Sequence, residues 1–225
     1  MPASTDPSLA AVPFFAAPLG LRREERWAAA GETGLRFWSQ SRSLVTTRAT
    51  AGRTGFAEAA QASAARGWPV HVRESGGSTV AHDATVLCIG WAREVAGFDL
   101  VRCYEAFTGG LVAALADLGI QAATGPMPRA PCDGRFNVLV AGRKLAGTAM
   151  RLRPSASGHH VLAHAALLLS PSPEAQGAVA AFERDCGLEP VYDSKSEIAL
   201  ADLLPGDRSR VERLVAAIER AFVSR

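Results

Sequence analysis

Residues 132–150, CDGRFNVLVAGRKLAGTAM, constrain the fold more than any other stretch of the chain. Residues 136–141 and 144–150 read as two strands joined by a glycine turn at Gly142. Strands joined by so short a connection pair antiparallel. A further run, 85–91 (TVLCIGW), is continuously apolar, as expected of a central strand buried on both faces. One lysine, Lys144, stands in the hairpin among small residues. The other lysine of the chain is Lys195, in the polar stretch DSKSE, where exposure is expected.

The remaining elements follow from periodicity and punctuation. Residues 21–30 suit a short helix carrying the charged run RREER, and 35–38 and 44–47 suit short strands either side of a polar turn. The alanine-rich stretch 56–65 reads as a helix stopped at Gly67-Trp68-Pro69. Residues 69–73 alternate as a strand and run into Ser75-Gly76-Gly77. The strongest helix is 100–118, with Val101, Tyr104, Phe107, Leu111, Leu115 and Leu118 at helical spacing and Gly119 as its stop. Its Gly109-Gly110 pair costs about 1 kcal/mol each against alanine, which predicts close packing there. A loop is expected over 121–130, a strand over 160–169, and helices over 173–187 and 211–223. Residues 1–20, rich in Pro, Ala and Ser, suit a loose arm. Residues 21–225 are then expected to form one domain, with no C-terminal accessory domain. The fold class is α+β: a mostly antiparallel sheet flanked by helices.

Composition narrows the function. An apolar fraction of 48% in 225 residues supports a sizeable core, while a net charge of +2 without a basic run gives no footprint for nucleic acid. The N-terminal run AAVPFFAAPLG contains Pro13 and Pro18, lacks a basic flank, and is shorter than the roughly 20 apolar residues of a membrane span. A soluble, cytoplasmic protein is expected. The four cysteines form no CxxC pair, and Cys88 and Cys103 are expected in the core. His159, His160 and His164 have no carboxylate or cysteine at ligand spacing, so no metal site is expected. The phosphate-loop pattern GxxxxGK[ST], GxGxxG and GxSxG are all absent.

Two segments carry chemistry together. The loop 72–83, VRESGGSTVAHD, sets a planar guanidinium, Arg73, beside glycines whose amides approach an anion without Cβ obstruction. It resembles the RRxSGGGxVxHD block of the lipoate-ligase and octanoyltransferase branch of the biotin/lipoate protein ligase superfamily. Arg73, Ser75, Gly76, Gly77, Val80, His82 and Asp83 match. Val72 replaces the first arginine and Ser78 the third glycine. The second family block, GRND followed by G-x-K-[IV]-x-G-[ST]-A, resembles Gly134, Arg135 and Asn137, then Gly142, Lys144, Leu145, Gly147, Thr148 and Ala149, with Phe136 inserted. The strand HAALLL (164–169) and the segment DSKSEIALADLLP (193–205) follow in family order, so the resemblance covers roughly 35–223. No GRGRxG loop of the biotin-ligase kind is present.

The resemblance implies a class II synthetase-like catalytic domain acting on an activated carboxyl group. In the ligases, ATP with Mg²⁺ activates lipoate or octanoate as an acyl-adenylate. A lysine of a lipoyl carrier domain, of the 2-oxoacid dehydrogenase E2 or glycine-cleavage H-protein type, then takes the acyl group. Lys144 would stabilise charge at the acyl and phosphate oxygens. Arg73, Ser75, Gly76 and Gly77 would hold phosphate and acyl portions, Asn137 would meet the adenylate or its Mg²⁺, and His82, Gly147, Thr148 and Ala149 would line the pocket. An alternative route places octanoyl on Cys132 as a thioester, without ATP, because related transferases carry a nucleophilic cysteine just before the lysine strand. A third reading is a non-catalytic lipoyl-domain binder or half of a two-part ligase, with a separate accessory protein.

Overall fold

The computed structural model describes residues 12–97 and 99–223. In chain order the elements are β1 (Phe14–Phe15), α1 (Ala17–Ala30), β2 (Gly34–Gln40), β3 (Ser43–Thr47), α2 (Arg48–Ala51), α3 (Phe56–Ala65), β4 (Val70–Arg73), β5 (Val80–His82) and β6 (Val86–Val95), followed by α4 (Leu100–Asp117), β7 (Ala122–Gly125), β8 (Asn137–Val140), β9 (Arg143–Ser155), β10 (Gly158–Leu168), α5 (Pro173–Asp185), α6 (Leu200–Leu203) and α7 (Arg210–Val223).

The main sheet has seven strands in the order β1-β2-β6-β10-β9-β8-β7. Only β1 and β2 run parallel within it. A three-stranded sheet, β4-β3-β5, carries the glycine loop between β4 and β5. The α+β class expected from sequence is the one observed.

The apolar run in β6 is central, as expected: Val86 through Ala92 are all buried. Leu87, Ile89 and Trp91 face Phe107, Leu111 and Leu115 of α4 and Leu214, Ile218 and Phe222 of α7. Cys88, Gly90 and Ala92 alternate to the other face, towards a cavity and α1, whose Trp27 and Ala28 pack on Ala92 and Leu162. Each fully buried large apolar side chain contributes about 1.5–3 kcal/mol relative to exposure, so this layer carries much of the driving force. Gly110 of the α4 glycine pair has the expected packing role. A Cβ on Gly110 would lie 2.4 Å from the Phe222 ring, and Phe222 in turn meets Trp91 edge-on at 5.0 Å.

The hairpin that opened the sequence argument is β8–β9. Ala141 (φ 48°) and Gly142 (φ 70°) are both left-handed, as a type I′ turn requires. The second strand runs past Met150 to Ser155 because it pairs with β10 along that whole length.

Three expectations meet a different outcome. Residues 12–20, assigned to a loose arm, form β1 and the first residues of α1, where Pro18 fits the first turn because that turn needs no N–H donor. Residues 1–11 of that arm lie outside the described residues. The loop expected over 121–130 contains β7, a strand made by its pairing with β8 rather than by any alternation in AATG. Cys103 is half-buried instead of in the core, whereas Cys88 is buried. Among the described residues no helix is long and apolar enough to cross a membrane.

Candidate active site

A cavity of about 470 Å³ opens between the two sheets. Its apolar wall comes from Val45, Val80, Val86, Leu145 and Leu168, and its polar groups include Arg73, Cys132 and Lys144.

The glycine loop is shaped by the arginine that precedes it. The Arg73 guanidinium is buried and donates to the carbonyls of Gly76 at 3.0 Å, Ser78 at 2.8 Å and Val45 at 3.4 Å. With its carbonyls drawn towards Arg73, the loop turns the Ser78 N–H onto the Cys132 sulfur at 3.3 Å. Gly77, at φ 107°, permits this approach. A Cβ there would sit 2.8 Å from both the guanidinium and the Cys132 Sγ. Arg73 was expected to grip a phosphate; carbonyls of the loop and of Val45 occupy its terminal nitrogens, its buried Nε has no partner among the described residues, and its charge stands beside the sulfur.

Lys144 holds the other side. Its side chain is 4% exposed, and Nζ donates to the carbonyls of Pro131 and Cys132, so the lysine pins the loop that bears the cysteine. Cys132 is itself left-handed (φ 54°), a conformation unusual for a side chain with a Cβ. Burial pushes the Cys132 thiol up, but the charges of Lys144 and Arg73 and the Ser78 N–H outweigh it, and the thiol lies below its ordinary range. Burial lowers Lys144, against the opposing pull of Cys132, Glu197 and Asp133.

Other expected site residues divide into wall and support. Arg73, His82, Gly147, Thr148 and Ala149 line the cavity together with Cys132 and Lys144. Thr148 also donates to the Phe136 carbonyl at 2.7 Å, closing the hairpin base. Asn137 is buried beside Gly147, with no hydrogen-bond partner for its Nδ2. His82 is buried against the Cys88 sulfur at 3.3 Å. Burial, reinforced by Arg73, pushes its pKa down to about 3, so it is neutral at ordinary pH.

Ser75 faces away from the sulfur, towards residues that sequence reasoning did not assign to the site. Its hydroxyl lies 3.0 Å from His164 Nε2, and His164 Nδ1 meets the Glu24 carboxylate. A carboxylate only accepts, so Nδ1 carries the proton on that side. Burial raises the Glu24 carboxyl, yet His164, with His82 and Arg73, holds it below the usual range. A periodic signal for Glu24 does exist: with Gly20, Trp27 and Ala28 it forms an i, i+4, i+7, i+8 stripe on the inward face of α1.

Glu197 was also missed. The segment 195–198 docks beside β9, with the Lys144 N–H donating to the Ser196 carbonyl at 2.8 Å and the Ile198 N–H donating to the Lys144 carbonyl at 2.9 Å. Glu197 thereby becomes the parallel bridge partner of Lys144, and both line the cavity. Among the described residues no group of three or more His, Cys, Asp or Glu side chains converges as a metal site.

A family model for the lipoyl protein ligase A/B catalytic domain matches residues 23–223. An uncharacterized protein of Cupriavidus necator is 32% identical, over 79% of this chain and 76% of that protein. The octanoyl-[GcvH]:protein N-octanoyltransferase of Kyrpidia tusciae is 31% identical over 67% of this chain, and the match spans 55% of that enzyme's length. The crystal structure of lipoate-protein ligase A bound with ATP shares the fold at a TM-score of 0.73 and 18% identity, over 95% of this chain and 84% of that one.

Proposed function

The chain belongs to the family of lipoyl protein ligase A/B catalytic domains, and from that premise we propose that it moves an octanoyl group onto a lysine of a lipoyl carrier domain through a thioester on Cys132. It is an enzyme of the lipoate ligase and octanoyltransferase class; the route and the partners are what is proposed. The observation that carries the route is the setting of the Cys132 sulfur, which lies on the Ser78 N–H with Lys144 and Arg73 close enough to lower its thiol. The thiolate is the form that attacks a carbonyl, and a lowered thiol supplies more of it. In the first half-reaction a bond forms between Cys132 Sγ and the acyl carbon, and the donor leaves. In the second, the carrier amine forms its C–N bond, the C–S bond breaks, and the electron pair returns to sulfur. The apolar wall receives the acyl chain, each buried methylene contributing about 0.8 kcal/mol. The Kyrpidia tusciae relative is named for a transfer of this kind, which supports the reading. Carrier domains of the glycine-cleavage H-protein or 2-oxoacid dehydrogenase E2 type are the proposed acceptors, in a reducing cytoplasm that keeps the thiol free.

ATP-dependent activation of lipoate or octanoate is the second reading, favoured by the buried, unpartnered Nδ2 of Asn137. The donor set fits a triphosphate less well. The Arg73 terminal nitrogens are engaged by carbonyls, Val72 stands where the family's other arginine is found, and Mg²⁺ would have to arrive with the nucleotide.

A donor comparison decides between the two. Purified protein is given an apo lipoyl domain with either an octanoyl-carrier thioester, or ATP, Mg²⁺ and octanoate or lipoate. Transfer from the thioester alone, a trappable acyl adduct on Cys132, and loss of both in Cys132→Ser are expected. Transfer that needs ATP and survives Cys132→Ser overturns the thioester route in favour of the adenylate.

A further inference from the structure

In the proposed reaction the attacking amine must shed a proton as it bonds to carbon, and neither Cys132 nor Lys144 is free to accept it. Cys132 is the leaving group at that moment. Lys144 directs its Nζ as a donor to the Pro131 and Cys132 carbonyls, so its nitrogen faces the loop that bears the departing sulfur. We infer that Glu197 is the general base of the second half-reaction, taking the proton from the carrier lysine as its nitrogen attacks the acyl group; this rests on the thioester reading.

The placement of Glu197 follows from backbone geometry. Bridge partners in a parallel pair project their side chains to the same face, so Glu197 lies alongside Lys144 on the cavity wall. Two hydrogen bonds between the Lys144 backbone and Ser196 and Ile198, on either side of Glu197, fix that register. The Arg143 guanidinium clamps the same segment, donating to the carbonyls of Lys195 at 3.1 Å and of Glu197. The backbone of Glu197 is thus held while its carboxyl makes no ion pair with Lys144, whose ammonium is directed to carbonyls. Lys144 of β9 acts on its charge, it acts in turn on Tyr192, Arg143 holds its backbone carbonyl, and Cys132 and Asp202 line the same cavity, while Asp133 bears on Lys144. Burial raises the Glu197 carboxyl, Lys144 lowers it, and burial wins. A carboxylate shifted in that direction is a stronger base than an exposed one.

The step balances. The carrier ammonium loses its first proton to water and arrives as the neutral amine. As the C–N bond forms, the surplus proton on nitrogen passes to the Glu197 carboxylate. The C–S bond then breaks with its electron pair going to Cys132, which leaves as the thiolate beside Lys144 and the Ser78 N–H, and Glu197 returns its proton to solvent.

The test separates the two half-reactions. Wild type and Glu197→Gln are loaded with octanoyl from a thioester donor, and intact mass follows the adduct. Discharge is then measured onto an apo H-protein-type lipoyl domain and, separately, onto hydroxylamine, an amine so weakly basic that its surplus proton passes to water without a positioned base once the C–N bond forms. The variant should load to the wild-type extent and discharge to hydroxylamine at the wild-type rate. Its discharge to the lipoyl domain should slow by roughly 10²–10³-fold, and the acid limb of the wild-type pH profile should be missing. Unchanged discharge to the lipoyl domain, or an equal loss with hydroxylamine, overturns the assignment. Failure of the wild type to form any adduct overturns the thioester reading instead. The same comparison is then made from the acyl-adenylate, where slow discharge in Glu197→Gln upholds the base and unchanged discharge removes it.

Discussion

Two buried polar clusters meet the glycine loop, one at each end, and they are built differently. At Ser75 the loop joins a closed chain, in which the Glu24 carboxylate meets one nitrogen of His164 and the Ser75 hydroxyl meets the other. At Ser78 it joins an open one, in which an N–H reaches the Cys132 sulfur, Lys144 turns to backbone carbonyls, and the Glu197 carboxyl has no ion pair among the described residues. A buried chain whose members satisfy one another fixes α1, the loop and β10 in place. A cluster left short of partners has valence for a substrate. One end of the loop is thus tied to the fold, and the other is where the proposed chemistry is placed.

Removing Lys144 is the largest test of that division. Lys144→Ala is expected to lower transfer by roughly 10²–10³-fold and to move the inflection of Cys132 alkylation by iodoacetamide to higher pH. The direction follows because the lysine charge is the foremost cause holding the thiol down. An unmoved inflection would break the contrast. Glu24→Ala attacks the closed cluster and should cost about 3 kcal/mol in urea unfolding, since it strands a buried imidazole. A cost below about 1 kcal/mol would mean that the chain does not anchor the fold.

Acid provides a finer probe. His82 is neutral in the fold, with a pKa of about 3, but titrates at 6.5 when unfolded. The unfolded chain binds the proton first, so this stability is present above pH 6.5 and is lost as pH falls. Between pH 7 and pH 5 the loss should be about 2 kcal/mol, measured as unfolding free energy and absent in His82→Gln. Glu24, lowered from 4.5, acts in the same direction but only as pH falls through the carboxylate range. A wild-type slope equal to that of His82→Gln would assign the acid sensitivity elsewhere.

The parts legible in the sequence were those in which local pattern and tertiary context agree. The apolar run of β6, the periodicity of α4 and the Gly142 turn each state their structure in adjacent residues, and the pairing of RESGGS with the Lys144 hairpin pointed to the site. Glu24 was hidden because RREER reads as a solvated face, and only its phase against Trp27 and Ala28 turns it inward. Strand β7 was hidden because AATG owes its conformation to β8. The partners of Arg73 were hidden for a different reason. A guanidinium beside glycines signals an anion site, but backbone carbonyls of the same loop and of Val45 take up its terminal nitrogens, leaving only the buried Nε without a partner among the described residues.

The contact between the Ser78 N–H and the Cys132 sulfur spans 54 residues of chain. Contacts of such sequence separation form late, once loop closure has been compensated by the sheet. Until then the sulfur lacks both the amide and the Arg73 charge, and it is an ordinary thiol. A lowered thiol is therefore a reporter of maturation in this chain: on the proposed thioester route, only molecules whose two sheets have already come together are equipped to capture an acyl group.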